Sequence, residues 1–353
     1  VIRRPGRSRR RAASLVLAVL GSLLALPSGA TGSARLRIQS GYGLTVPVLG
    51  ETVRHFVEVL EAQGGNGLRI KLYDAGKLVP TLQIFDAVAA GAIDAGFTFP
   101  AYWMGKIPAA TIFAAVPFGP PAPELLAWIH QGGGLRIWRR LYAELGTVPV
   151  PCGVLPPEAS GWFRKPIESA EDLRGLKIRY AGLGGKVLQK LGASITMLAA
   201  GDIFLALERG VIDATEYSMP AVDRPLGFYK VAKHYYFPGW HQPASLLELV
   251  VNLRTWQALA PEQRAAIETA CQATTLFSLE RGLAVQAEAL AFFRKQGVQI
   301  HRWSPELLDA FRRATAQVMA EASRRDPDFA EAWSSLQAFR ARYAQWSSLA
   351  DLP

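Results

Sequence analysis

The sequence predicts an α/β protein of two similar lobes, each a sheet flanked by helices, with a ligand cleft between them and a long connecting helix. Three observations lead there. A glycine followed by x-Ile-Asp-Ala occurs twice, in "GAIDAGFTFPAYWMGK" (91–106) and "GVIDATEYSMPAVDRP" (210–225), each time after a helix-like run. The strand–helix order restarts in the middle of the chain, as a second lobe requires. Half of the 353 residues are hydrophobic and 19% are charged, so a substantial core is expected.

The N-terminus reads as an export leader over 1–34. "RRPGRSRRR" is its basic part, "AASLVLAVLGSLLAL" its apolar part, and "PSGATGSA" supplies small residues for cleavage after Ala30 or Ala34. The 15 apolar residues fall short of the ~20 that span a bilayer. "SRRRAAS" also resembles a twin-arginine signal, so the export route stays open. Six arginines precede the apolar run, and without them the net charge of +10 falls to +4. That modest charge predicts no nucleic-acid partner.

Beyond the leader, "RLRIQSGYG" alternates like a strand and ends at glycines. "VPVLGETVRHFVEVLEAQGG" has helical spacing and stops at a double glycine. "LRIKLYDAG", "LQIFDAVAAG" and "AIDAGFTF" continue as strand, helix and strand, an order that argues for a parallel sheet. The second series runs through "GWFRK", a short helix opening at Ser169, "LKIRY", "GGKVLQKLGA", "SITML", "AGDIFLALERG" and "VIDATEYS". "ASLLELVVN" is a strand able to cross back, and residues 261–297 read as one helical run of more than thirty residues. "VQIHRW" and two amphipathic helices close the chain. The expected lobes are 35–155 with 246–302, and 156–245 with 303–353.

Each x-Ile-Asp-Ala turn has a structural explanation: glycine caps a helix with positive φ, isoleucine enters the core, and aspartate bonds local backbone donors. The residues after it lie at the carboxyl end of a strand, where open α/β sheets bind ligands. One lobe presents Phe97, Phe99, Tyr102 and Trp103 there, the other Glu216 and Tyr217. Arg179, near the end of "LKIRY", suits bidentate pairing with a carboxylate. Glu158 and Gln242 are oxygen donors of the kind hard cations take, accompanied by Trp162, Trp240 and His241. Cys152 and Cys271 are open to two readings, a disulfide or two separately buried thiols.

Catalytic signatures are sparse. "QSGYGLTVPVLG" has Gly41 and Gly43 of a dinucleotide loop but Val46 in place of the third glycine. There is no G-x-S-x-G elbow and no HExxH pair. A secreted α/β enzyme acting on a small carboxylate is the alternative reading, beside a protein that only senses its ligand.

"DAGKLVPTLQIFDAVAAGAIDAG", "YWMGKIPAA", "GWFRKPIESAEDLRGLKIRYAGLGGKVLQKLGAS", "GDIFLALERGVIDATEYSMPAVDRPLGFYKVAKHYYFPGWH" and "FRARYAQW" together resemble the solute-binding subunit of tripartite ATP-independent periplasmic (TRAP) transporters, of the DctP type. The branch it resembles binds 2-oxo acids and related carboxylates with a metal ion. The resemblance implies a two-lobed periplasmic binding protein fold, not an enzyme, that closes on its solute and delivers it to membrane subunits. By position it implies that Arg179 pairs with the ligand carboxylate and that Glu216 coordinates the metal. Tyr217 stands where tryptophan is usual and would coordinate through its carbonyl. Glu158 stands where glutamine is usual, and Gln242 matches a further amide ligand. Tyr102 and Trp103 would cover the ligand from the other lobe. The implied metal is Ca²⁺ or Na⁺, and a second carboxylate at Glu158 predicts Ca²⁺ over Na⁺. A homodimer through the C-terminal helices is also implied.

Overall fold

A computed structural model of the chain describes Val1 and residues 34–64 and 67–350. The body of the expected leader, residues 2–33, lies outside the described residues. The first half runs β1 (Ala34–Ser40), α1 (Leu49–Ala62), β2 (Leu68–Tyr73), α2 (Ile84–Ala89), β3 (Ala95–Thr98), α3 (Ala110–Ala114), α4 (Ala122–Gln131), α5 (Gly134–Ala143) and β4 (Thr147–Leu155). The middle runs β5 (Gly161–Phe163), β6 (Lys177–Arg179), α6 (Gly182–Lys190), β7 (Ser194–Thr196), α7 (Ala200–Glu208), β8 (Ala214–Thr215), α8 (Pro220–Leu226) and β9 (His234–Phe237). It ends with β10 (Ser245–Asn252), α9 (Leu253–Ala258), α10 (Pro261–Ala284), α11 (Gln286–Lys295), β11 (Gln299–Arg302), α12 (Pro305–Arg325) and α13 (Pro327–Ala350).

Two sheets form, ordered β2-β1-β3-β10-β4 and β11-β9-β5-β8-β6-β7. Both are mixed rather than purely parallel. β10 runs antiparallel to β3 and β4, and β5 antiparallel to β8 and β9. The reason is the chain path: β4 carries it out of the first lobe and β10 brings it back alongside. All nine residues of β4 and all eight of β10 are buried, so these two crossings lie within the core.

The repeated turn does the same job in both lobes, through a partner on the neighbouring strand rather than a local one. The backbone N–H of Arg37 in β1 donates to Asp94 Oδ2 at 2.7 Å, and that of Lys177 in β6 donates to Asp213 Oδ2 at 3.1 Å. In return Asp94 N–H donates to Arg37 O, and Asp213 N–H to Lys177 O, at 3.2 and 2.7 Å. Gly91 and Gly210, at φ 76° and 71°, let each helix end in time to reach this position.

Three expectations are corrected. The long helix is present as α10, of 24 residues, but the expected run of more than thirty breaks at Val285, where α11 begins. α10 packs on β4 and α1 of the first lobe, whereas α11 packs on α8 of the second, and one straight helix cannot do both. β11, assigned to the first lobe, joins the second sheet in parallel with β9. The C-terminal pair also divides: α12 lies on α6, but α13 returns over α3, α4 and α5 of the first lobe. Arg340 Nε to Glu124 Oε1 at 3.2 Å and Trp128 Nε1 to Ser335 Oγ at 3.2 Å hold it there. Cys152 and Cys271 form a disulfide between β4 and α10. Among the described residues no helix is long and apolar enough to cross a membrane.

Candidate functional site

The second lobe supplies the charges. β6 and β8 are parallel neighbours with Arg179 opposite Thr215, so the residues at their carboxyl ends meet. Glu216 N–H donates to Arg179 O at 3.0 Å, and Arg179 Nη1 donates to Glu216 Oε2 at 3.0 Å and to the Glu216 carbonyl. Arg179 Nε reaches Leu198 O at 3.4 Å, and its guanidinium lies 5.3 Å from the Tyr217 ring centroid. The Ala181 N–H, at the start of α6, donates to Glu216 Oε2 at 3.4 Å.

Glu158 arrives from the crossing after β4. Its N–H donates to Gln242 O at 3.3 Å, which joins the outgoing crossing to the returning one. A Cβ on Gly239 would lie 2.2 Å from Glu158 O, so the two crossings pass this closely only because residue 239 has no side chain.

These residues line a narrow cavity with only about 20 Å³ open to the centre of a water molecule. Arg179, Glu158, Glu216, Tyr217 and Gln242 from the second lobe and crossings meet Tyr102 from the first. Leu49, Phe99, Leu155 and Leu247 give the first-lobe side an apolar wall. The lining also contains polar atoms with no partner: Tyr42 Oη, Glu158 Oε2, Glu216 Oε1, Ser218 Oγ and Ser245 Oγ. A buried polar atom without a hydrogen bond costs about 1–3 kcal/mol, so such a concentration marks a place for a polar guest.

The electrostatics agree. Burial pushes the Glu158 carboxyl well above its ordinary range, and the Glu216 carboxylate pushes it further. Burial also raises Glu216, but the neighbouring His241 and Arg179 and the Ala181 amide outweigh it and leave Glu216 lowered. Tyr102 is pushed up to about 12 by burial, against the pull of Arg179. Two carboxyls therefore lie in one buried site where the guanidinium pairs with Glu216, and a cation beside them would offset the second carboxylate's charge. The unpartnered oxygens of Glu158 and Glu216 fit that role as hard-cation donors.

Trp103 is the site residue the structure does not bring in. It is buried in the first lobe, where its indole N–H donates to Glu248 Oε1 at 2.7 Å. Its ring meets that of Tyr102 edge-on, with centroids 6.1 Å apart, but does not line the cavity. Phe97 is core as well, and Trp162 is tied to Asp223 Oδ2 at 2.9 Å beneath a stacked Tyr235. Tyr42, Ser218 and Ser245 were not singled out by the sequence. Tyr42 follows β1 in "SGYG", at a strand's carboxyl end, which is the one signal that points to it. Ser218 and Ser245 carry no comparable mark.

Comparison with known proteins gives a consistent picture. The family model described as bacterial extracellular solute-binding protein, family 7 (DctP), matches residues 45–326. The monocarboxylate 2-oxoacid-binding periplasmic protein of Nostoc sp. strain PCC 7120 is 37% identical over 292 residues, 82% of this chain and 80% of that protein. Among solved structures, a TRAP transporter solute-binding protein from Bordetella bronchiseptica RB50 superposes with a TM-score of 0.88 at 33% identity, covering 90% of this chain and 95% of that one. It is described as a mixed-occupancy dimer with copurified calcium and picolinate. TRAP solute-binding proteins from Colwellia psychrerythraea, with bound calcium and pyruvate, and from Pseudoalteromonas atlantica T6c, with bound sodium and pyruvate, each give 0.85 at 31% identity, covering 90% of this chain and 97% of theirs.

Proposed function

This chain belongs to family 7 of the bacterial extracellular solute-binding proteins, the DctP family of TRAP receptors, and on that premise we propose how its cavity captures a small 2-oxo or 2-hydroxy acid. The observation that carries the proposal is Arg179 buried against Glu216, with unpartnered oxygens of Glu216 and Glu158 beside it. In the free protein Glu216 occupies the guanidinium. When a cation engages Glu216 and Glu158, together with the Tyr217 carbonyl and Gln242, Arg179 is released to pair with the ligand's carboxylate. Tyr42, Ser218 and Ser245 supply further hydrogen bonds, and the leucines with Phe99 accept a short apolar tail. That wall favours a monocarboxylate over a second charged end.

The reading is supported by the relatives that hold pyruvate with calcium or sodium. Two acidic side chains at one cation favour Ca²⁺ over Na⁺, since the doubly charged ion better offsets their repulsion. Tyr102 covers the cavity from the first lobe, so lobe closure would exclude water. The chain would work in the periplasm after removal of the leader at 1–34 and hand its solute to TRAP membrane subunits. A homodimer through α13 is supported by its exposed Trp346 and Leu349. We assign no reaction, since the family the chain belongs to is one of solute-binding proteins.

The test is a thermal-shift screen of small carboxylates against the mature protein, with and without calcium. Stabilisation grows as RT ln(1 + [L]/Kd), so a tight ligand stands out. A cation-dependent shift with pyruvate or a related acid is expected. A folded protein that responds to no carboxylate would sink the reading.

A further inference from the structure

We propose that Phe118 is a clasp between the lobes: a first-lobe residue, bound to the second lobe in the closed arrangement, that sets how tightly the cavity holds its solute. This rests on the reading of the chain as a receptor that closes on a carboxylate, and adds a positioning residue that does not itself touch the solute.

Phe118 belongs to the turn 116–119 between α3 and α4. Gly119 N–H donates to Val116 O at 2.8 Å, Pro117 takes the second position and Phe118 the third, with φ 53°. That third position ordinarily holds glycine, because a side chain at positive φ crowds its own backbone. A phenylalanine kept there needs compensating contacts.

Those contacts run to the second lobe. The Phe118 N–H donates to Trp240 O at 2.7 Å, and its ring stacks on Trp240 with centroids 5.6 Å apart. Trp240 in turn stacks on Phe311 of α12 at 4.5 Å. The Arg312 guanidinium of the same helix lies 4.2 Å from the centre of the Phe118 ring. The other end of the residue is fastened to the first lobe. Its carbonyl accepts from Arg340 Nη1 of α13 at 3.4 Å, and the Nε of that arginine donates to Glu124 of α4. One residue thus has its amide and ring in one lobe and its carbonyl in the other. Trp240 stands two positions before Gln242, which lines the cavity, whereas Phe118 does not. Contacts that opening must break favour the closed state, and solute affinity rises with the closed fraction.

Phe118→Gly removes the ring from a backbone that glycine fits, so the turn itself is kept. Stopped-flow release of pyruvate, with calcium present, should be about five- to tenfold faster in Phe118→Gly and about threefold faster in Arg312→Gln. Phe118→Tyr, which keeps the ring, should release pyruvate at the rate of the unaltered protein. Small-angle scattering of the ligand-free proteins should give a larger radius of gyration for Phe118→Gly than for the unaltered protein or Phe118→Tyr. A turn that serves only its own packing would move neither readout. Release in Phe118→Gly within about twofold of the unaltered rate, or an unchanged radius, would overturn the proposal, while pyruvate binding by the unaltered protein kept the receptor reading intact. If the unaltered protein binds no carboxylate, the receptor reading falls, and scattering alone decides whether the lobes are clasped.

Discussion

Arg179 Nη1 and Glu216 Oε2 meet at 3.0 Å with side-chain exposures of 2% and 1%, an ion pair shut away from water. Breaking such a pair from one side strands the other charge, at a cost of roughly 3–5 kcal/mol. Arg179→Ala should therefore lower folding stability by about that amount and abolish most carboxylate affinity. Arg179→Lys should recover part of the stability but little of the affinity, since lysine lacks the planar fork. Denaturant unfolding and calorimetry with pyruvate would check both, and an Arg179→Ala protein that still binds pyruvate normally would reject the assignment.

Glu158 gives a prediction of opposite signs. In the free protein its carboxyl is buried beside Glu216, so Glu158→Gln should leave stability unchanged or raise it. With calcium and a carboxylate present, the same change removes a charged donor and should weaken calcium binding about tenfold or more. Melting curves with and without calcium separate the two effects.

Glu248 carries a pH signature away from the ligand. Burial raises its carboxyl from the ordinary 4.5 to about 8, against the donors Trp103 and Tyr142. The folded protein thus keeps a proton that the unfolded chain releases. The associated stability is fully present below pH about 4.5 and is lost as pH rises to about 8. Glu248→Gln should flatten that slope and leave ligand affinity unchanged, because Glu248 does not line the cavity. Chemical denaturation at several pH values between 4 and 9 tests it.

The Cys152–Cys271 bridge spans 119 positions of chain, from a crossing strand to α10. Constraining a loop of that length in the unfolded state is worth about 3–5 kcal/mol. The Cys152→Ser, Cys271→Ser double variant should melt several degrees lower. Its ligand affinity should change less than about twofold, since neither sulfur lines the cavity.

What the sequence made visible follows from periodicity and position. The x-Ile-Asp-Ala echo located both sheets, and the carboxyl-end rule picked out Arg179, Glu216, Tyr217 and Tyr102, which line one cavity. β4 has no clear mark in the sequence, where Pro149 and Pro151 argue against a strand; both are accommodated because β4 is an edge strand, paired only with β10. The break at Val285 carries only a weak mark, Gly282 three residues before it, and the decision comes from two different packing partners. Trp103 was misplaced by reading adjacent aromatics as one surface, when successive residues of a tight turn point in different directions. Ser218 and Ser245 matter only through where the crossings deliver them, which no local pattern encodes.

The parting of α12 and α13 at Asp326 has a consequence for how the molecule can be watched. One of these helices rides on each lobe, so the corner between them is a mechanical indicator joined to both halves. Gln317 on α12 and Ala338 on α13 are exposed and would tolerate fluorescent labels. A change in the distance between the two dyes would then report, from the outer surface and one molecule at a time, whether the chamber inside is empty or filled.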